Sequence, residues 1–152
     1  MKTRIIGTGG IAVLAALGFT ALGSSPAEAA APAPAAKTIF TCRTASGKVV
    51  RISRTGPTYR YSYGRPGAAP DLAFAVPKSA TSIHDGSEDI GSGSWWMTHE
   101  VTLRFNGTSY TGWWSFHRAS GEEGGGIRVA KGERVLAETA CVLPVEIDLS
   151  AY

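Results

Sequence analysis

Two cysteines constrain this chain more than any other feature. Cys42 stands near the start of the region that can fold and Cys141 near its end, and there is no third. Whether they pair depends on the compartment, and the N-terminus bears on that. Lys2 and Arg4 precede an apolar run, Ile11 to Leu22, which leads into SSPAEA with Ala27-Glu28-Ala29 as an A-x-A cleavage site. That run is shorter than the roughly 20 residues a membrane-spanning helix needs. Residues 1–29 therefore read as a signal peptide, with no membrane span after its removal, and no cysteine directly follows to carry a lipid. Residues 30–37, rich in Ala and Pro, read as a flexible linker. Export implies an oxidising compartment, periplasmic or external, in which two cysteines tend to form a disulfide. Closing a loop of about 100 residues contributes roughly 4–5 kcal/mol in the chain-entropy model. A zinc site would need further ligands at zinc spacing, and the sequence offers none.

The remaining stretch of about 120 residues suits one domain. It has no long helical period. Short runs suited to strands recur between turn residues: Thr38 to Arg43, Lys48 to Arg54, Thr58 to Gly64, Asp71 to Val76, Trp95 to Phe105, Thr108 to Arg118, Gly126 to Ala130 and Arg134 to Val142. Asn106-Gly107 is a two-residue hairpin signal, because a type I′ turn wants positive φ at both positions. It also opens an N-x-T sequon, but the turn already explains the pair. Pro77 to Ser94 is polar and reads as the longest irregular stretch. Tyr59, Tyr61 and Tyr63 share a face, as do Met97, His99, Val101, Leu103 and Phe105 with Trp95. On the return strand Tyr110, Gly112, Trp114 and Phe116 match that inner face, leaving Trp113 and His117 on the other.

About eight strands joined by tight turns are antiparallel. A small sheet must manage its edges, and closing into an up-and-down barrel removes them. That places the first and last strands side by side, as a Cys42–Cys141 bridge requires. The expected fold is an all-β single antiparallel barrel over 38–143, closed by one disulfide, with 144–152 as a tail. A two-sheet sandwich is the alternative.

Charge is uneven. From Lys37 to Lys78 eight basic residues face one acid, Asp71, whereas acids dominate from Thr81 onward. Such asymmetry can orient a partner, though basic and acidic strand faces can also simply offset each other. Nucleic acid is not the expected partner, since no matching motif is present. Catalytic signatures are absent: Ser92-Gly93-Ser94 has no G-x-S-x-G context and no assigned histidine, and His99 lies on an apolar face. The run HDGSED brings Asp85, Glu88 and Asp89 together but misses the calcium-loop pattern. No cofactor, metal or catalytic residue is expected.

The pieces Phe40-Thr41-Cys42, Gly47-Lys48, YSYGRPG (Tyr61 to Gly67), Pro70-Asp71-Leu72 and Cys141 resemble a group of small exported bacterial proteins whose function is uncharacterised. The export signal, the FTC opening, the aromatic strands and the late cysteine also resemble the membrane-bound and periplasmic inhibitors of C-type lysozyme, which are small eight-stranded barrels. Those inhibitors use a SASGxxY loop. Its nearest counterpart here, Arg118-Ala119-Ser120-Gly121, lacks the tyrosine and lies elsewhere in the chain. The resemblance implies a non-enzymatic binding protein of the cell envelope, with lysozyme as a possible protein partner. Its contacts are expected at Ser92, Ser94, Arg118 and Ser120, with Trp95 or Trp113 as anchor. A barrel binding an envelope glycan or another small ligand is the alternative, and an enzyme of unknown chemistry the last.

Overall fold

The computed structural model describes residues 34–152, apart from Ser92. The signal peptide and most of the linker expected from the sequence lie outside the described residues. The chain forms nine strands: β1 (Lys37–Thr44), β2 (Val49–Thr55), β3 (Thr58–Gly64), β4 (Leu72–Pro77), β5 (Thr81–Gly91), β6 (Ser94–Phe105), β7 (Thr108–His117), β8 (Glu122–Lys131) and β9 (Arg134–Ile147). All pairings are antiparallel, in the order β4-β3-β2-β1-β9-β8-β7-β6-β5. The first and last strands are neighbours, as the cysteines required. Cys42 and Cys141 are bonded, with Cα atoms 5.6 Å apart across a sequence separation of 99.

The ninth strand is β5, cut from the stretch read as irregular. Its polar residues hid it, because most of its side chains face water and only Thr81 is buried. It is recruited by β6, with which it pairs from Thr81–Leu103 to Gly91–Ser94. The sheet is also not closed. β4 and β5 are its two edges, yet only a 3-10 turn, Lys78–Ala80, separates them in the chain. The sheet therefore curls until its inner faces meet, and the rim stays unzipped. Phe74 of β4 stacks on Phe105 of β6 with ring centroids 4.5 Å apart, and Tyr61 lies 5.3 Å from Tyr110. Aromatic packing joins the two halves across the curl, where a closed barrel would pair β4 with β5 in a hydrogen-bond ladder.

β9 links the two halves. Its residues 134–140 pair with β8, whereas Cys141 to Ile147 pair with β1. The register shifts between Thr41 and Arg43 opposite Leu143-Pro144, where Pro144 has no N–H for a ladder. Residues 144–152, set apart as a tail by the sequence reading, extend β9 and end in a 3-10 turn, Leu149–Ala151. Ala151 is buried, Tyr152 lies 5.5 Å from the ring of Tyr59, and Arg54 donates to the carbonyls of Ala151 and Tyr152.

The core comprises Ile39, Phe40, Cys42, Val50, Ile52, Tyr59, Tyr61, Val76, Val101, Leu103, Ile127, Val145 and Ala151. Gly112 makes room for it: a Cβ there would stand 2.8 Å from the ring of Phe40. The Asn106-Gly107 turn forms as read, with φ of 49° and 73°.

Candidate functional site

The strands of the second half are longer than those of the first, and that mismatch creates the site. Contacts across the curl involve Phe105, Tyr110 and Gly112. From Gly112 to His117 the strand β7 runs on for about 16 Å at roughly 3.3 Å per residue. β6 runs with it, in register from Phe105–Thr108 to Trp96–His117. On the inner face of this overhang the alternation places Trp95, Met97 and His99 on β6, Trp114 and Phe116 on β7, Asp85, Ser87 and Asp89 on β5, and Glu123 on β8. The five β6 and β7 side chains are all partly buried, not sealed.

The row is held in place by its neighbours. Trp114 donates its indole N–H to Glu123 at 2.7 Å and meets the edge of His99 at 5.1 Å. Phe116 lies parallel to Trp114 with centroids 6.3 Å apart. His99 Nδ1 is 3.6 Å from Asp85, a carboxylate left largely in water. Arg118 sits over Trp95, 5.7 Å from the ring. Two open clefts follow this face. One is lined by Ser87, Asp89, Gly93, Trp95, Met97 and Arg118, the other by His99, Trp114, Glu123, Val145 and Ile147. Aromatic surface edged by a few polar groups is the usual composition of a small-ligand site.

The residues expected from the sequence are divided. Ser94, Trp95, Arg118 and Ser120 gather at one tip, where the β5–β6 and β7–β8 turns lie side by side and Arg118 N–H donates to Trp95 O at 3.0 Å. Trp113 does not join them. It lies in mid-strand on the outer face over the glycines of β8, where a Cβ on Gly126 would be 2.9 Å from its Nε1. That N–H is covered and has no partner among the described residues. Ser92 lies outside the described residues.

Ser94 and Ser120 meet through a histidine that the sequence could not assign. His117 Nε2 is 2.9 Å from Ser94 Oγ, and its Nδ1 is 2.6 Å from Ser120 Oγ. Trp96 stacks on the same ring at 4.6 Å. The first distance suits a nucleophile and base, but the position of an orienting acid is held by a neutral hydroxyl. The chain of bonds fastens the two turns together. HDGSED is also pulled apart: strand alternation sends Asp85 and Asp89 to the inner face and Glu88 to the outer. Among the described residues no group of three or more His, Cys, Asp or Glu is placed to hold a metal ion.

Sequence reasoning missed Met97, His99, Trp114 and Phe116 as a surface. The alternation identified their face and assigned it to the core. Only the shortness of β1–β4 could have signalled that the far end is covered in part. No protein-family model, curated protein or solved structure matches the chain.

Proposed function

We propose that this is an exported, non-enzymatic binding protein of the cell envelope that takes an uncharged glycan on the inner face of the overhang. The observation that carries the reading is the half-covered row Trp95, Met97, His99, Trp114 and Phe116. The C–H faces of sugar rings pack on aromatic planes, and ring hydroxyls need acceptors and donors at the margin. Asp89, Glu123 and His99 supply these, while the acids disfavour an anionic ligand. The signal pattern and the disulfide support export. The test is a titration with chitooligosaccharides of several lengths, followed by tryptophan fluorescence and indole N–H shifts. Binding in the micromolar to millimolar range, reduced about tenfold or more by Trp114→Ala with the fold intact, is expected. Indole signals that do not move at millimolar sugar would end the proposal.

A protein partner is the second reading. It is favoured by the adjoining ends of β5, β6 and β7, where Arg118 is exposed over Trp95. C-type lysozyme is the first partner to assay. Undiminished lysozyme activity at micromolar protein would remove it.

A further inference from the structure

The glycan face leaves the basic charge of the first half unused, and the basic side chains there do not share one fate. Lys48 forms an ion pair with Asp71 at 2.8 Å, which takes the one acid between Lys37 and Lys78. Arg54 donates to Gly56 O and to the carbonyls at the C-terminal end. Lys78 lies over the Tyr152 ring at 4.5 Å. Arg43, Arg51 and Arg65 are different. All three are exposed, and among the described residues none makes an ion pair or a side-chain hydrogen bond.

These three arginines converge. Arg43 on β1, Arg51 on β2 and Arg65 just beyond β3 line one open cleft of about 400 Å³, with Ser62 on its floor. The turn that follows β3 forms one wall. Ala68 N–H donates to Arg65 O at 3.2 Å, and the turn presses so closely on the strand end that a Cβ on Gly64 would stand 2.8 Å from Pro70 Cα. The parts of YSYGRPG divide the work between them. Gly64 admits the turn, Pro66-Gly67 shape it, and Arg65 is held over the cleft. A second acid near this face is Glu146, opposite Thr41 on β9. It borders an adjoining cleft that also includes Arg43 and Arg51, and it pairs with neither.

We propose that Arg43, Arg51 and Arg65 form a binding site for a phosphate group, on the outer face of β1–β3 and separate from the glycan face. A guanidinium fork matches two oxygens of a carboxylate or a phosphate. A carboxylate is satisfied by one fork. Three forks around one cleft suit a tetrahedral group with oxygens in several directions, and Ser62 adds a hydroxyl donor. The phosphate can arrive on a soluble glycerol phosphate or on a lipid headgroup, and the shared chemistry is what the cleft reads.

The test is an NMR titration of the arginine Nε–H signals in the disulfide-bonded domain with inorganic phosphate and with glycerol phosphate. A second arm measures co-sedimentation with phosphatidylglycerol vesicles against phosphatidylcholine vesicles. Saturable shifts at Arg43, Arg51 and Arg65 are expected, and Arg51→Gln weakens binding about tenfold or more. Arg60→Gln, an exposed arginine outside the cleft, leaves it unchanged. Binding of soluble glycerol phosphate without vesicle capture assigns a free or polymer-borne phosphate, and capture by the anionic vesicles alone assigns a headgroup. Equal losses from Arg51→Gln and Arg60→Gln, or no saturable shift with either soluble probe together with equal sedimentation on the two kinds of vesicle, would overturn the site. Chitooligosaccharide binding is unaffected in all of these variants, so the two proposals fail separately.

Discussion

The two halves of the sheet use aromatic residues in opposite ways. In β1–β4 most inward residues are sealed: Phe40, Ile52 and Tyr59 are fully buried, beside Ile39, Cys42, Val50, Tyr61 and Val76, and only Tyr63, Leu72 and Phe74 are partly covered. The strands β5–β8 are longer but contribute only Val101, Leu103 and Ile127 to the buried core. Ile83, Phe105, Tyr110 and Val129 pack against that core in part, and beyond them Trp95, Met97, His99, Trp114 and Phe116 stay half covered where the shorter strands end. Similar alternation therefore builds a scaffold in one half and a surface in the other. What separates them is the length of the strand opposite, not the chemistry of the strand itself.

The comparison breaks first on paired truncations. Phe40→Ala removes a ring that fills the gap at Gly112 and is expected to lower stability by about 3–5 kcal/mol. Phe116→Ala, on the overhang, should cost less than about 1 kcal/mol, because that ring is only partly removed from water. Denaturant unfolding of both variants checks this. Equal losses would mean that the overhang is core and that the binding face does not exist.

Opening the Cys42–Cys141 bond comes next. The bond joins β1 to β9, the strand shared by the halves, at the point where β9 passes from β8 to β1. Replacing both cysteines with alanine is expected to destabilise the fold by about 2–5 kcal/mol. Amide exchange should rise most where β1 meets β9. A uniform rise across β5–β8 would show instead that the second half depends on the bond as much as the first.

Much of the scaffold half was legible in the sequence. The cysteine positions and the tyrosine alternation of Thr58 to Gly64 match the structure there, and in the other half so does the Asn106-Gly107 turn, a purely local signal. β5 was not legible, because a strand that buries only Thr81 carries no apolar period. The open rim was not legible either: whether β4 and β5 pair depends on how far the sheet curls. The site shows the same divide. Ser94, Trp95, Arg118 and Ser120 could be named because they sit near turns, but the overhang surface needs strand lengths on both sides to be compared. The Ser94–His117–Ser120 contact joins residues that only register brings together.

Alkaline pH sharpens the comparison further. Burial pushes the Tyr61 hydroxyl well above its ordinary value, with Tyr110 and Tyr63 adding to the shift, and burial also raises Tyr59. The folded state therefore holds protons that the unfolded state releases near pH 10. Stability from these groups is fully present below that value and declines as pH rises above it. Tyr61→Phe is expected to flatten the decline, measured as thermal midpoints across the alkaline range. Tyr110→Phe, whose pair lies at the rim between halves, should flatten it less. An unchanged slope in Tyr61→Phe would mean that its hydroxyl reaches water.

The smallest expected effect lies at the chain's last turn, which closes the end of the scaffold half. Asp148 caps Leu149–Ala151 by accepting from Ser150 N–H at 3.0 Å and from the Ser150 hydroxyl. These bonds, the hydroxyl's foremost, hold its carboxyl below the ordinary value of 3.8. A depressed folded-state value contributes stability above the unfolded-state value and loses it as pH falls through the folded one. Asp148→Ala should thus lower the thermal midpoint slightly at pH 7, and the gap from wild type should shrink below pH 3.8. The group is fully exposed, so the effect should be small; the sign of its pH dependence identifies it. A gap that stays constant through acid would mean that the turn is held by Ala151 and Tyr152 packing on the first half, with the cap contributing nothing.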